Sequence, residues 1–211
     1  MNCANCREKA CAKGKDCTEI AEEAKTAYEE DAAEVLKSLR VSARIESRYY
    51  MKKTRIEELM LYAREMGYTK VGVAFCIGLE TEAEKLCTIL SQHFEVSSVC
   101  CKVCGIDKSH YELERLHKAS AVTNRRVTGT ETIQEVEAMC NPIGQALILN
   151  KEKTELNVIL GLCIGHDLLF TRYSDAPVTT FAVKDRVLAH NPLGALYSGY
   201  YLSKLREPAR E

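Results

Sequence analysis

Four of the eleven cysteines in this 211-residue chain lie within its first seventeen positions. They have the spacing Cys-x2-Cys-x4-Cys-x5-Cys and are Cys3, Cys6, Cys11 and Cys17. Thiolate sulfur is a preferred ligand of zinc and of iron–sulfur clusters. The surrounding residues are too polar to build a core, and metal binding can itself supply the folding free energy of such a segment. We therefore predict that these cysteines bind zinc or an iron–sulfur cluster; reduced, exposed thiols are the alternative.

Further cysteines follow apolar segments that are typical of β-strands. The tripeptide Cys-Ile-Gly occurs twice, at 76–78 and at 163–165, each time after an apolar run. Cys101 ends another strand-like run, and Cys140 directly precedes Asn-Pro, a pair that favours a helix start. The carboxyl ends of the strands in an open α/β sheet form the crevice in which ligands bind. We predict that Cys76, Cys101, Cys140 and Cys163 converge there on zinc or an iron–sulfur cluster; packing as small apolar side chains is the alternative.

Thiolate chemistry is a second hypothesis for the same region. A cysteine beside a helix N-terminus has a lowered pKa, because the backbone amides and the helix dipole favour the thiolate. The candidate catalytic residues are Cys163, Cys140, His190 and Asp167, with His166 as an alternative base. His190 and Asp167 could instead serve as capping or hydrogen-bonding residues. The run Lys184-Asp185-Arg186 beside the predicted crevice is interpreted either as a solvated turn or as an anion-binding site.

Composition excludes several classes of protein. The formal net charge is −1, and no basic stripe with interleaved aromatic residues is present, so no nucleic-acid partner is expected. No apolar run approaches the roughly 18 residues of a membrane span, and the N-terminus lacks the apolar middle of a signal peptide. We therefore expect a cytoplasmic protein without a membrane partner. Its expected partners are a metal ion or cluster and a small anionic ligand, whereas the sequence leaves the oligomeric state open.

Residues 18–68 have the pattern of two helices. Apolar residues recur every three or four positions from Ile20 to Ala43, which predicts one apolar stripe on a long helix. The stripe comprises Ile20, Ala24, Ala27 or Tyr28, Val35, Leu36, Leu39 and Ala43. Thr54 and Glu57 have the spacing of a capping box, and Gly67 is predicted to end the second helix in a left-handed conformation.

Strands alternate with helices from residue 70 onward. The predicted strands are 70–75, 95–101, 156–162 and 176–183. Capping-box spacing predicts one helix from Thr81 to about Phe94 and another from about Ser109, and Asn-Pro pairs predict helix starts at 141 and 191. Cys87 lies in the first of these helices and is expected to pack as a small apolar residue. Such alternation predicts an α/β fold with a mostly parallel sheet flanked by helices, preceded by a Cys-rich loop and two helices.

The second half of this region resembles the first, which predicts a degenerate internal duplication. The segment "VAFCIG" matches "LGLCIG", "VSSVCCKV" matches "VTTFAVKD" in pattern, and "CNPIGQAL" matches "HNPLGAL", in the same order. The domain prediction is therefore a metal-binding loop at 1–17, a helical segment at 18–68 that packs on the core, and an α/β core at 69–211. The core would comprise two related halves, at about 70–150 and 156–206.

The motifs "NCANCREKAC", "AFCIGLE", "CKVCGIDK", "MCNPIGQA", "GLCIGHDLLF" and "VKDRVLAHNPLGALY" together resemble those of one prokaryotic family. Its members come largely from anaerobes, and it is known as a domain of unknown function that is cysteine-rich and described as metal-binding. The resemblance covers nearly the whole chain. It implies a metal site and supports Cys3, Cys6, Cys11 and Cys17 as ligands, but it implies no reaction.

Three functional hypotheses follow from the sequence. The first is a cytoplasmic metal-binding protein with a second, cysteine-lined site at the carboxyl ends of the strands, where redox or sulfur-transfer chemistry would suit low-pKa thiolates. The second is a non-catalytic metal or redox sensor or interaction protein. The third is a metal-free enzyme with one cysteine as nucleophile, which leaves the repeated cysteines unexplained.

Overall fold

The computed structural model describes residues 1–30, 32–116 and 136–206, which form two compact units. The first unit is Met1–Gly67, and the second begins at Tyr68. No helix within the described ranges has both the length and the apolar character needed to cross a membrane.

The first unit consists of short 3-10 turns followed by helices. The turns are Cys3–Asn5 and Ala10–Lys13, the helices are α1 (Ala21–Glu30), α2 (Lys37–Tyr49) and α3 (Arg55–Met66), and a π-helical turn, Ala32–Leu36, lies between α1 and α2. Helix α2 packs on α3. The predicted capping box of Thr54 and Glu57 is confirmed, and Gly67 ends α3 at φ 82°, a conformation that glycine adopts without strain.

The predicted apolar stripe is wrong for most of its length. No residue of α1 is buried, and the side chains of Ile20, Tyr28 and Leu39 are exposed. The buried positions are instead Val41 and Ile45 on α2. A π-helical turn has a different number of residues per turn from an α-helix. The apolar positions that recur from residue 20 therefore lie on a different face from the buried positions of α2.

The second unit contains a four-stranded parallel sheet, as the sequence predicts. Its strands are β1 (Lys70–Phe75), β2 (Glu95–Cys100), β3 (Leu156–Leu160) and β4 (Val178–Ala182), in the order β2-β1-β3-β4. The helices are α4 (Glu80–Leu90), α5 (Pro142–Lys151), α6 (His166–Tyr173), α7 (Leu193–Tyr197) and α8 (Gly199–Arg206). All five residues of β3 are buried, as expected of a central strand covered on both faces.

Three helix starts differ from the prediction. Helix α4 begins at Glu80, one residue before the predicted cap, and ends at Leu90, where Ser91 becomes the C-cap. In place of a helix near Ser109 there is a 3-10 turn, Lys108–Tyr111, which Asp107 caps and which ends at Glu112 in the left-handed conformation (φ 55°). The internal duplication also predicts an insertion at roughly 105–137 in its first half, and residues 117–135 of this insertion lie outside the described residues. Helix α7 begins after Pro192, so the second Asn-Pro pair does not repeat the cap geometry of the first.

Candidate functional site

The order of the strands puts the switch point of the sheet at the carboxyl ends of β1 and β3. After β1 the chain crosses to the outer strand β2, and after β3 it crosses to the opposite outer strand β4. The two crossovers diverge from the carboxyl ends of the central strands, and such a switch point is where open α/β sheets bind ligands. Cys76 follows β1 here, and Cys163 lies three residues after β3.

Backbone hydrogen bonds hold the first two thiols at this edge of the sheet. The N–H of Cys76 donates to the carbonyl oxygen of Leu160 (3.2 Å), and the N–H of Cys101 donates to that of Phe75 (2.8 Å). These bonds continue the ladders of the sheet beyond the strands, so the positions of both residues are fixed by the sheet itself. Both side chains are buried, Cys101 with only 2% of its surface exposed.

Cys140 reaches the same point from the N-terminus of α5. Asn141 caps α5 as predicted, accepting a hydrogen bond from the Gly144 N–H (2.8 Å), and Pro142 is the first helical residue. The N–H of Asn141 also donates to the carbonyl oxygen of Cys101 (2.8 Å). The sulfur atoms of Cys140 and Cys101 lie 4.0 Å apart as a result. Cys76, Cys101 and Cys140 are called the thiol centre below.

The three sulfurs of the thiol centre share protons unequally, because adjacent like charges repel. Hydrogen bonds to Cys140 and Cys76, together with burial, raise the pKa of Cys101 above the ordinary range of a thiol. The hydrogen bond from Cys101 lowers the pKa of Cys76 to about 5. Hydrogen bonds with Cys101 and His166 lower the pKa of Cys140 to about 4. At neutral pH, Cys101 is therefore the protonated thiol between two thiolates.

His166, the first residue of α6, is hydrogen-bonded to the Cys140 sulfur. Its hydrogen bond to the Cys140 sulfur raises the pKa of the imidazole, and the charge of the nearby Asp167 carboxylate acts in the same direction. A thiolate paired with an imidazolium is the arrangement that keeps a cysteine nucleophilic at neutral pH. The histidine beside a thiol is thus His166, which the sequence analysis named only as an alternative base.

Cys163 lies beside a cationic segment rather than in sulfur contact with the thiol centre. The guanidinium of Arg186 donates to the Cys163 sulfur (3.1 Å). This bond raises the pKa of Arg186, and Cys76 and Cys140 act on the same guanidinium through their charges. Among the described residues, no sulfur contact joins Cys163 to the other three. The shared four-cysteine centre that the sequence predicts therefore stays a prediction.

Lys184 approaches the thiol centre from the same segment. A Cβ atom at Gly78 would lie 3.2 Å from the Lys184 Nζ atom and 4.0 Å from the Cys76 sulfur. The ammonium group therefore extends over the backbone of Gly78, where the missing side chain leaves it room. The charge of Lys184 contributes to the lowered pKa of Cys76. From the sequence alone, this cationic segment is either a solvated turn or an anion-binding site.

Gln145 on α5 is a residue of this region that the sequence analysis missed. Its amide nitrogen donates to the carbonyl oxygens of Val99 (2.7 Å) and Phe75 (3.2 Å), so it ties α5 to the strand ends that carry two of the thiols. Its side chain is fully buried, and its oxygen has no partner among the described residues. The sequence feature that could have identified Gln145 is its position three residues after Pro142, on the first turn of a helix that starts at the carboxyl ends of the strands.

Two of the predicted catalytic candidates, His190 and Asp167, are hydrogen-bonded to neighbouring backbone groups. His190 accepts a hydrogen bond from the Asp185 N–H through Nδ1 (3.1 Å), and its own N–H donates to the Asp185 carbonyl oxygen (2.9 Å). Asp167 accepts a hydrogen bond from the Leu168 N–H in the first turn of α6 (2.8 Å). Among the described contacts, neither side chain bonds to a sulfur atom. A catalytic role for either residue stays a prediction.

The remaining cysteines lie outside these contacts. Cys3, Cys6, Cys11 and Cys17 are all exposed in the first unit, Cys104 is exposed after β2, and Cys87 and Cys100 are half-buried. Across the described ranges, no three His, Cys, Asp or Glu side chains are arranged to hold a metal ion. Within the thiol centre, the 4.0 Å between Cys101 and Cys140 is close to the roughly 3.8 Å edge of a tetrahedral zinc–thiolate site. Cys101 is hydrogen-bonded to both of the other sulfurs of the thiol centre, those of Cys140 and Cys76.

Comparison with known proteins gives a family but no activity. A family model described as "Protein of unknown function (DUF1847)" matches residues 11–181, a range that contains the thiol centre and Cys163. The chain is also similar to an uncharacterized protein of Methanocaldococcus jannaschii, 54% identical over 208 residues, which are 98% of this chain and 99% of that protein. No solved structure gives a significant match. The predicted resemblance to a family of unknown function is confirmed.

Proposed function

We propose that this chain, which belongs to the DUF1847 family of unknown function, is a thiol redox protein whose thiol centre exchanges electrons with disulfides. The observation that supports the proposal is the 4.0 Å contact between the sulfurs of Cys140 and Cys101, one paired with His166 and the other protonated and buried. A low-pKa thiolate next to a second thiol is the arrangement needed to attack a disulfide and then resolve the mixed disulfide.

The first step of the proposed exchange belongs to Cys140. It is the more exposed member of the pair, since Cys101 has 2% of its surface exposed and Cys140 is half-buried. The Cys140 thiolate attacks one sulfur of an external disulfide, forming a mixed disulfide and releasing the other sulfur as a thiolate. His166 donates a proton to this leaving group, which departs as a thiol.

The second step belongs to Cys101. Its proton passes to the thiolate of Cys76, with which it is hydrogen-bonded. The resulting Cys101 thiolate attacks the sulfur of Cys140, forms the Cys101–Cys140 disulfide and releases the second half of the substrate, which takes the proton from Cys76. The sulfurs must approach from 4.0 Å to the roughly 2.05 Å of a disulfide bond. In balance, two protein thiols become a disulfide and the external disulfide becomes two thiols.

Peptide mapping after oxidation tests this proposal. The reduced protein, purified without oxygen, is mixed with bis(2-hydroxyethyl) disulfide, blocked with N-ethylmaleimide and digested. We expect a Cys101–Cys140 disulfide in the wild type and an adduct trapped on Cys140 in Cys101→Ser. Cys87→Ser, which removes a half-buried thiol away from the centre, is the control and should react as the wild type does. Unchanged exchange in Cys140→Ser would refute the proposal.

Repeated turnover separates a catalyst from a sensor. With excess dithiothreitol as reductant, a catalyst consumes many equivalents of disulfide, whereas a sensor is oxidised once and stops.

We also propose a cytoplasmic location, in agreement with the sequence analysis, because a reducing compartment keeps so many thiols in their reduced form.

Metal binding by the N-terminal segment is a second candidate function. It is supported by the exposure of Cys3, Cys6, Cys11 and Cys17, whose sulfurs are accessible in turns that bury no residue. The cofactor would be zinc or an iron–sulfur cluster, as the spacing indicates. Metal analysis and a visible spectrum after anaerobic purification test this candidate. Stoichiometric zinc or broad absorption near 400 nm, lost in Cys6→Ser, is the expected result, and metal content unchanged in that variant contradicts it.

A further inference from the structure

We infer that the disulfide substrates of the thiol centre are anionic, and that Arg186 and Lys184 form the subsite that binds their negative charge. This inference rests on the proposed function, since it names the substrate class of the same site. It is carried by two cations that face the thiols from the turn after β4, at the switch point of the sheet.

Arg186 lies at the centre of this charge arrangement. Its guanidinium donates to the Cys163 sulfur at 3.1 Å and also interacts electrostatically with Cys76 and Cys140. One exposed side chain thus lies near three cysteines that come from different segments of the chain. A group bound at Arg186 would therefore lie next to Cys163 and within electrostatic reach of the attacking Cys140 sulfur. The planar guanidinium also matches the two oxygens of a carboxylate.

Lys184 adds a second positive charge on the side of Cys76. The position of its ammonium group depends on Gly78, since any Cβ there would come within 3.2 Å of Nζ. The backbone N–H of Lys184 donates to the carbonyl oxygen of Leu162, which fixes the lysine to the end of the central strand β3. The two cations are therefore presented by a segment that is bonded to the sheet.

Neither cation forms a salt bridge with a carboxylate of the described residues. Within the described ranges, no Asp or Glu oxygen lies within salt-bridge distance of Lys184 or Arg186. The carboxylate between them in the sequence, that of Asp185, accepts hydrogen bonds from the N–H groups of Val187 and Leu188 (2.9 and 2.8 Å). Thiolates are thus their counter-ions in the reduced protein. An anionic substrate would pair with these cations in addition to the thiolates.

The redox step strengthens this preference. When Cys140 enters a mixed disulfide, its negative charge disappears, and Arg186 loses one of the thiolates that neutralise it. A negative charge on the bound half of the substrate replaces the lost thiolate. Binding of the anion and oxidation of the centre therefore favour each other, and by linkage the coupling is the same in both directions.

A series of symmetric disulfides of similar size tests the inference. The probes are the dicarboxylate dithiodipropionate, the uncharged bis(2-hydroxyethyl) disulfide and the diamine cystamine, each normalised to its rate with free dithiothreitol. At low ionic strength we expect the dianion to oxidise the wild-type protein about tenfold faster than the uncharged disulfide, and cystamine to be slowest. The preference should shrink near 1 M salt, where the screening length falls to about 3 Å.

Charge variants assign the preference to its residues. Arg186→Gln and Lys184→Gln should each reduce it, whereas Lys85→Gln, which removes an exposed lysine from α4, should keep it. Lys184→Arg preserves the charge and should retain the preference. If Lys184→Arg also lost the preference, the loss in Lys184→Gln would reflect misfolding and not the missing charge. Equal normalised rates for all three disulfides in the wild type would overturn the inference and leave the proposed function standing. No exchange with any of them would instead overturn the proposed function.

Discussion

Cys101 is the least accessible sulfur of the thiol centre, and this gives it a specific role. Its sulfur contacts that of Cys140 and accepts a hydrogen bond from the Ile77 N–H (3.4 Å), while almost none of its surface meets solvent. A buried thiol between two thiolates keeps its proton because ionisation would bring three like charges together. Cys101 therefore resolves a mixed disulfide more readily than it starts one.

The first residue-scale prediction concerns His166. The pKa of Cys140 is lowered to about 4 by its hydrogen bonds with Cys101 and His166, so Cys140 is a thiolate from about pH 5 upward. In His166→Asn one of these groups is lost, and we expect the midpoint of its alkylation by iodoacetamide to rise by about 1–3 pH units. Mass spectrometry of labelled peptides between about pH 5 and 8 measures this change.

The control for this prediction is His93→Asn, which removes an exposed histidine from the turn between α4 and β2. It should leave the pH profile of Cys140 unchanged. An unchanged profile in His166→Asn would show that the imidazole does not stabilise the thiolate.

For single residues, the sequence predicted well which side chains lie near the carboxyl ends of the strands. It predicted less well which hydrogen bonds these side chains form. The Cys-Ile-Gly repeats and the Asn-Pro pair place Cys76 and Cys140 correctly at strand and helix ends, because those signals are local. The choice between His166 and His190 was not available from them. It depends on side-chain direction, and His190 is held by Asp185 in a turn with φ 64°. Such turns are set by tertiary contacts that no spacing rule captures.

The central strands β1 and β3 form the element on which the thiol centre depends. Gly72 and Asn157 are opposite each other in the register of this pair. Asn157 is fully buried, accepts a hydrogen bond from the Thr154 hydroxyl (2.8 Å) and donates to that of Ser174 (2.7 Å). These bonds fix its amide above Gly72, so only a residue without a side chain fits there.

Gly72→Ala tests this packing. A Cβ at Gly72 would lie 2.1 Å from Asn157 Oδ1 and 2.9 Å from a methyl group of Leu149, so strand or side chain must move. We expect the free energy of unfolding to fall by about 1–3 kcal/mol, as for other overpacked cores, measured by urea titration. Gly199→Ala is the matched control, because nothing lies within 4 Å of a Cβ there. Equal stabilities of the two variants would contradict the packing argument.

The amino ends of β1 and β3 provide a prediction about the pH dependence of stability. The Glu155 carboxylate accepts hydrogen bonds from the N–H groups of Thr69 and Lys70 (2.6 and 2.9 Å), and the first of these is the largest cause of its lowered pKa. A carboxyl group whose pKa is lowered by folding stabilises the protein above the ordinary value of 4.5, and this contribution is lost as the pH falls below it.

Glu155→Gln checks the sign of this effect. The wild type should be more stable than the variant at pH 7, and the difference should shrink as the pH falls through about 4. Urea midpoints at several pH values measure it. Because the group is largely exposed, we expect a small difference, and a gap that widens in acid would contradict the assignment.

Element types were predictable from the sequence, whereas their edges were less so. The central strands β1 and β3 come from continuous apolar runs that are buried on both faces, whereas the outer strands β2 and β4 are only partly buried. The apolar stripe of the first unit failed because a π-helical turn interrupts the period on which it depended. The capping box at Thr54 formed, but that at Thr81 did not, since Leu79 precedes the helix directly as its N-cap.

The whole molecule comprises two compact units with separate chemistry. The first, Met1–Gly67, carries the four exposed cysteines, and the second carries the thiol centre. Changing Cys6→Ser should therefore increase proteolysis within residues 1–17 of the metal-loaded protein and leave the urea midpoint of the α/β unit unchanged. Ala4→Ser, which alters the same turn without removing a thiol, is the control. Loss of the α/β transition in Cys6→Ser would contradict this independence.

The parallel order of the sheet has a consequence for the newly made chain. Cys76, Cys101 and Cys140 come from three separate segments and meet only when the ladders on both sides of β1 have closed. Before that moment each thiol has an ordinary pKa near 8.5 and is mostly protonated in a neutral cell. The proposed reactivity toward disulfides would thus appear together with the finished fold, and an incomplete polypeptide on the ribosome would be spared premature oxidation.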